Sequence, residues 1–91
     1  MNVVLYTKLD CSYCVAAKNL LINRNILWSE KKLDVDFTRN QLLESYPSAT
    51  TFPVVIVDGF YIGGYSDLLL AVDKHVNESI NKSFLTENNE D

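Results

Sequence analysis

The sequence predicts an α/β domain: about four strands in one mixed sheet, flanked by three helices, in the order β-α-β-α-β-β-α. Three observations carry that prediction. A short apolar, β-rich run near the start, Val3-Val4-Leu5-Tyr6, gives way to a segment whose apolar residues recur at helical spacing. Further on, Val54-Val55-Ile56-Val57 places four β-branched residues in a row and runs directly into Asp58-Gly59, a strong hairpin signal. Finally, 91 residues leave room for one domain with a small core. A strand-helix-strand start implies a parallel pair with a right-handed crossover, whereas the hairpin implies an antiparallel pair, so the sheet is mixed.

Taken in order, Val3–Tyr6 reads as a buried strand and 7–10 as the loop that leaves it. From Ser12 to Asn25, Val15, Leu20, Leu21 and Ile22, with the small Ala16 and Ala17, form an apolar stripe, and Lys18, Asn19, Asn23 and Arg24 fall mostly opposite. Asn25 suits a helix stop because asparagine tolerates the left-handed conformation. Ile26–Leu33 reads as a second strand. Thr38–Tyr46 reads as a short helix with Leu42 and Leu43 inward, ended by Pro47, since the residue before a proline avoids the α region. Val54–Val57 is expected to be buried on both faces, with Phe60-Tyr61-Ile62 as the returning strand. Gly63-Gly64 breaks the chain. Ser66 is the expected N-cap of a third helix through Leu68, Leu69, Leu70, Val72 and Val76, reaching toward Ile80. The expected domain is 1–85, followed by an acidic frayed tail, 86–91, without an apolar residue.

Composition narrows the function classes. Hydrophobic residues make up 47% of the chain and charged residues 22%, the usage of a globular domain rather than a disordered chain. The net charge of −4 argues against a whole-surface footprint for nucleic acid. Glu87, Glu90 and Asp91 supply three of those four charges, so the body of the chain is close to neutral. No apolar run approaches the ~18 residues of a membrane span. Met1–Tyr6 has no basic region and no small-residue cleavage site and does not read as a signal peptide, so a reducing, cytoplasmic setting is expected.

The two cysteines, Cys11 and Cys14, are too close to staple a distant loop, which excludes a disulfide scaffold. They sit where the first loop enters the first helix. Residues three apart in a first helical turn share a face, so their sulfurs come within disulfide reach. At the helix start, unpaired N–H groups and the positive dipole end favour a thiolate at Cys11. Cys14, one turn in, is shielded. Cys11 is therefore the expected nucleophile and Cys14 the resolving thiol. Lys8 favours the thiolate and Asp10 opposes it. Two rival readings exist. A structural zinc site needs four ligands, and the chain offers two cysteines and His75. Cys14 alone could be an inert core cysteine. In a β-α-β context the pair reads as a thioredoxin-like redox motif.

With these residues in place, the sequence resembles the glutaredoxin family. The resemblance is carried by Tyr6-Thr7-Lys8, Cys11-Ser12-Tyr13-Cys14, Thr51-Phe52-Pro53 and Gly63-Gly64-Tyr65-Ser66-Asp67, in the family's order and separations, and covers about residues 2–76. It implies a thioredoxin-like fold and a glutathione-dependent thiol–disulfide oxidoreductase acting on protein disulfides and glutathionylated proteins, with ribonucleotide reductase as a client and the monomer as the working form. It also implies a cis peptide bond before Pro53, which turns the backbone of Phe52 toward Cys11 to pair with bound glutathione as an added strand would. By the same resemblance, Thr51 lines the site. Gly63 and Gly64 let the backbone approach the ligand, with Ser66 near its γ-glutamyl carboxylate and Asp67 near its ammonium. Lys8 meets the glycine carboxylate, Arg39 assists from the second helix, and Tyr13 packs beside the thiolate. Without the resemblance, Ser66 and Asp67 are ordinary helix-capping residues, Pro53 starts a strand, and Tyr13, a lone aromatic in a first turn, could equally be core. Two departures stand out. Ser12 replaces the proline of many dithiol members, restoring a backbone donor beside Cys11. Tyr65 is bulkier than the residue usual there and would narrow the groove. Some members with Cys-Ser-Tyr-Cys hold a [2Fe–2S] cluster between two subunits through the first cysteine and glutathione, an alternative reading. A thioredoxin-type reductant is the other, although its cysteines usually flank Gly-Pro.

Overall fold

The structure, a computed structural model, describes residues 1–74. The strands are β1 (Val3–Thr7), β2 (Trp28–Lys32), β3 (Val54–Val57) and β4 (Phe60–Gly63), and the first two helices are α1 (Ser12–Asn23) and α2 (Arg39–Ser45). A third helix, α3, begins at 65 and runs to the last described residue, 74. The sheet order is β2-β1-β3-β4, with β1 parallel to β2 and the other two pairs antiparallel, a four-stranded mixed sheet of thioredoxin-like architecture. His75, Val76, Ile80 and the acidic tail lie outside the described residues.

Alternation along the two central strands divides the core in two. Val3 and Leu5 of β1 and Val55 of β3 meet Ala17, Leu20 and Leu21 of α1 and Leu68 and Val72 of α3. The intervening Val54 and Ile56, with Val4 and Tyr6 at the margin, meet Phe37, Leu42 and Ala49 on the opposite face. Successive strand side chains point to opposite faces, so burying both faces requires the near-continuous apolar runs seen here. Each fully buried Leu or Val contributes roughly 1.5–3 kcal/mol relative to exposure.

Local chemistry sets the element ends. Asn25 takes φ +58°, and the N–H groups of Asn25 and Ile26 donate to the carbonyls of Ile22 and Leu21, a Schellman closure of α1. Thr38 caps α2 with a full capping box: its hydroxyl accepts from Gln41 N–H (3.2 Å), and the Gln41 side chain accepts from Thr38 N–H (2.9 Å). Asp58 and Gly59, at φ +51° and +88°, make the tight turn between β3 and β4.

Four expectations change. The buried stripe of α1 is Cys14, Ala17, Leu20 and Leu21, whereas Val15 and Ile22 face outward, because the sheet touches only the narrow arc one turn apart from Cys14. The second strand is shorter than Ile26–Leu33: Ile26 closes the α1 cap, Leu27 is exposed, and Leu33, whose N–H still donates to Thr7 C=O (2.9 Å), lies beyond the strand in an isolated bridge to Phe37. Leu70 is exposed and Leu43 only half-buried. Ser66 does not cap α3. The helix starts at Tyr65, Gly64 C=O accepts from Leu68 N–H (3.0 Å), and the Asp67 carboxylate accepts from Gly64 N–H (3.1 Å), so the capping side chain comes from inside the first turn.

Candidate active site

The end of β1 and the start of α1 deliver the cysteine pair to the carboxyl end of β1, beside the amino end of the antiparallel β3. Cys11 is the N-cap of α1 in extended conformation, and its carbonyl accepts from the N–H groups of Cys14 (3.1 Å) and Val15 (3.2 Å). Its Sγ also accepts from Cys14 N–H at 3.1 Å. Such a bond to sulfur strengthens as the sulfur becomes anionic, and the helix dipole acts in the same direction. Cys11 and Cys14 form a disulfide with Cα atoms 5.2 Å apart. The two sulfurs are not equivalent: Cys11 is half-buried, while Cys14 is 2% exposed and packs into the core. Only Cys11 can meet an incoming disulfide first.

Cys11 opens onto a groove of about 350 Å³ lined by Lys8, Asp10, Ser12, Tyr13, Arg39, Thr50, Thr51 and Phe52. Phe52 organises its charge. The Lys8 ammonium lies 5.8 Å and the Arg39 guanidinium 5.5 Å from its ring centroid, two cations held by one aromatic ring. Asp10, in the left-handed conformation at φ +54°, is the acidic member of the lining. Two cations against one carboxylate suit an anionic ligand. Arg39, the first residue of α2 after the Thr38 cap, lines this groove, as the resemblance implies.

The Phe52-Pro53 peptide bond is cis. Pro53 is buried, and its carbonyl oxygen is 3.5 Å from where a Cβ on Gly64 would stand, so the proline turn and the Gly63-Gly64 turn adjoin. Gly63 has φ +125°, and a Cβ there would fall on the Asp67 carboxylate. Tyr13 is not core. It is 62% exposed, with its ring 5.9 Å from that of Tyr65, and the two tyrosines form one lip beside the cysteines. Gly64, Tyr65, Ser66 and Asp67 thus flank the groove at the start of α3 rather than lining its floor.

Sequence reasoning missed a polar cluster beneath Lys8. Thr7, 3% exposed, donates from its hydroxyl to Glu30 Oε2 (2.7 Å), which also pairs with Lys18 Nζ (3.1 Å). Three elements meet there: β1, β2 and α1. Lys18 lies one turn beyond Cys14, but its partner Glu30 comes from β2 and Glu30's other partner, Thr7, from β1, so no local spacing announces the cluster. The hydrogen bond from Thr7 is the leading cause holding the Glu30 carboxyl below its ordinary value of 4.5, with Lys18 and Lys32 adding and burial opposing. A depressed folded pKa gives stability that is present above the unfolded pKa and lost as pH falls through the folded one. Glu30→Gln is therefore expected to cost about 1 kcal/mol at neutral pH. It should also flatten the acid limb of the stability curve below about pH 4.5, measured by urea unfolding at stepped pH. An unchanged acid limb would remove the cluster from the account.

Comparison with known proteins bears directly on this arrangement. The family model described as Glutaredoxin matches residues 3–62. The chain is 34% identical over 67 residues to Glutaredoxin 3 of Escherichia coli K12, covering 74% of this chain and 81% of that one. Among solved structures it is similar to Glutaredoxin 1 of Francisella tularensis (TM-score 0.69, 29% identity, 84% of this chain and 96% of that one). It is equally similar to reduced Escherichia coli glutaredoxin (TM-score 0.69, 27% identity, 85% and 99%).

Proposed function

Because this chain belongs to the glutaredoxin family, whose members are thiol–disulfide oxidoreductases with glutathione as reductant, we propose that it reduces protein–glutathione mixed disulfides and protein disulfides at the expense of glutathione. The observation that carries this reading is the pairing of Cys11, a half-buried helix N-cap sulfur, with a groove whose two cations converge on Phe52.

On a glutathionylated protein, Cys11 thiolate attacks the glutathione sulfur. The Cys11–glutathione bond forms, the client's S–S bond breaks, and the client leaves as a thiol after taking a proton. A second glutathione thiolate attacks the mixed disulfide, giving glutathione disulfide and restoring Cys11 thiolate. On a protein disulfide, Cys11 forms the mixed disulfide with the client and Cys14 attacks it. The client leaves as a dithiol, and the Cys11–Cys14 disulfide remains. Two glutathiones then reduce it, one after the other. Known glutaredoxin potentials of about −200 to −230 mV overlap the biochemically measured cytosolic glutathione poise, so the couple turns over in either direction.

In this reading Lys8 and Arg39 receive the glycine carboxylate of glutathione, and the Phe52 backbone at the cis turn pairs with its cysteine residue. Thr51 and Tyr13 flank the sulfur. Tyr65, Ser66 and Asp67, after Gly64, receive the γ-glutamyl end. The carboxylate of Asp67 is already turned toward Gly64 N–H and has further lone pairs for an ammonium. A reducing compartment such as the cytoplasm suits this chemistry, a monomer suffices for it, and ribonucleotide reductase is a fitting disulfide client. The iron–sulfur alternative would draw Cys11 from each of two chains with two glutathione thiolates, and its support in this chain is the Cys11-Ser12-Tyr13-Cys14 motif.

The test is glutathione-coupled turnover of the mixed disulfide between glutathione and 2-mercaptoethanol. Turnover should saturate with glutathione, and Arg39→Ala should raise KM several-fold with kcat nearly constant. A protein inert with glutathione but active with a thioredoxin-type reductase would overturn the proposal.

A further inference from the structure

Lys8 borders two grooves. Across it from the Cys11 groove lies a second one, of about 240 Å³, whose apolar part is Leu9, Leu33 and Val35 and whose rim includes Lys32. Leu9 is 89% and Val35 77% exposed, so two aliphatic side chains face water within one concavity beside the reacting sulfur. Among the described residues, the only carboxylate in its lining, Glu30, is engaged by Thr7 and Lys18. The remaining charges of the lining are Lys8 and Lys32, and among the described residues neither ammonium makes an ion pair. The neighbouring acids Asp34 and Asp36 belong to the turn after β2 and do not line the groove. Asp36 accepts from Lys32 N–H at 2.8 Å. A concavity with apolar walls and a locally positive rim has formed on a chain whose net charge is −4.

A mixed disulfide carries two substituents. When its glutathione half fills the groove of Phe52 and Arg39, the polypeptide on the other sulfur must leave across the rim, and Lys8 is the part of that rim that opens onto a second concavity. We propose that this second groove receives the client polypeptide next to its reacting cysteine. The segment it fits carries an aliphatic side chain for Leu9, Leu33 and Val35 and a carboxylate for Lys8 and Lys32. This substrate class, an apolar and acidic segment, rests on the glutathione-dependent reading above.

The experiment compares three substrates: two glutathionylated peptides of equal length, one with Leu and Glu around its cysteine and one with Ser and Lys, and the small 2-mercaptoethanol mixed disulfide. The wild-type protein should show a kcat/KM about tenfold higher for the acidic, apolar peptide at low salt, and the gap should narrow as salt screens the rim. Lys32→Glu should remove that preference and Val35→Ser reduce it about threefold, while both leave turnover of the small disulfide unchanged. Both side chains are exposed, so these variants test contact rather than folding. Equal kcat/KM for the two peptides, or a preference that survives both variants, overturns the proposal. A dimer in light scattering that Lys32→Glu dissolves would assign the groove to a second copy and overturn it as well. Failure of the wild type on the small disulfide would instead overturn the glutathione reading, and the docking proposal with it.

Discussion

Replacing Cys11 by serine should bring turnover of a glutathione mixed disulfide down to the uncatalysed background, while Cys14→Ser should keep most of it. The asymmetry follows from position. Cys11 is the half-buried N-cap whose sulfur receives Cys14 N–H, and Cys14 is almost fully enclosed by the core. A serine hydroxyl at 11 is neither ionised at neutral pH nor able to exchange with a disulfide, so the first step has no nucleophile. Folding should survive, because serine is a good N-cap and its oxygen can accept the same N–H. Cys14→Ser buries a hydroxyl at a cost of about 1–3 kcal/mol if it stays unpaired, yet the monothiol route needs only Cys11 and glutathione. The same variant should lose reduction of a protein disulfide, which ends with the intramolecular bond. Measuring both substrates on both variants separates the two routes. Full activity in Cys11→Ser would sink the mechanism, and equal loss in both variants would sink the division of roles.

Gly63→Ala should be the most damaging single methyl group near the site. Its φ of +125° lies where side chains are rarely tolerated, and the added Cβ would land on the carboxylate that caps Gly64 N–H. Backbone strain of about 1–3 kcal/mol and the loss of a cap worth ~1 kcal/mol give a destabilisation of roughly 2–4 kcal/mol. In a domain of this size that is a fall in Tm of more than about 8 °C. Asp67→Ala should cost only the cap, about 1 kcal/mol. Gly64→Ala should be milder than Gly63→Ala, since a Cβ there meets Pro53 O at an ordinary 3.5 Å. On the glutathione reading, Gly63→Ala and Asp67→Ala should both raise KM for glutathione, because each displaces the carboxylate assigned to its ammonium. Thermal unfolding and glutathione titration of the three variants check this order. A Gly63→Ala protein as stable as Gly64→Ala would refute it.

Much of the architecture was legible because its signals are local. Val54–Val57 and Asp58-Gly59 announce a buried strand and a tight turn from the residues themselves, and Pro47 marks the end of α2. The errors arose where a neighbour decides. Val15 and Ile22 fit the helical period as well as Leu20 does, but only the arc against β1 and β3 is covered. Ser66 has the chemistry of a cap, yet the turn at Gly63 starts the helix two residues earlier and puts Asp67 in reach of Gly64 N–H. The short β2 lost its first residues to the cap of α1, a competition that strand propensity alone does not register.

The same division runs through the site. By itself the sequence determined that Cys11 and Cys14 share the first turn of a helix behind a strand, and from that the family and its chemistry could be read, since a three-residue spacing at a helix start needs no distant partner to be meaningful. It also determined the near-neutral body against which Lys8 and Arg39 act. Only the tertiary structure decided which sulfur meets solvent, because burial of Cys14 depends on the core packed over it. Likewise, it alone brought Lys8 and Arg39 onto one Phe52 ring, joined Thr7, Glu30 and Lys18 across three elements, and opened the groove of Leu9 and Val35 beside them. Those contacts link residues from 12 to more than 40 positions apart, and the sheet order, rather than any local spacing, sets such distances.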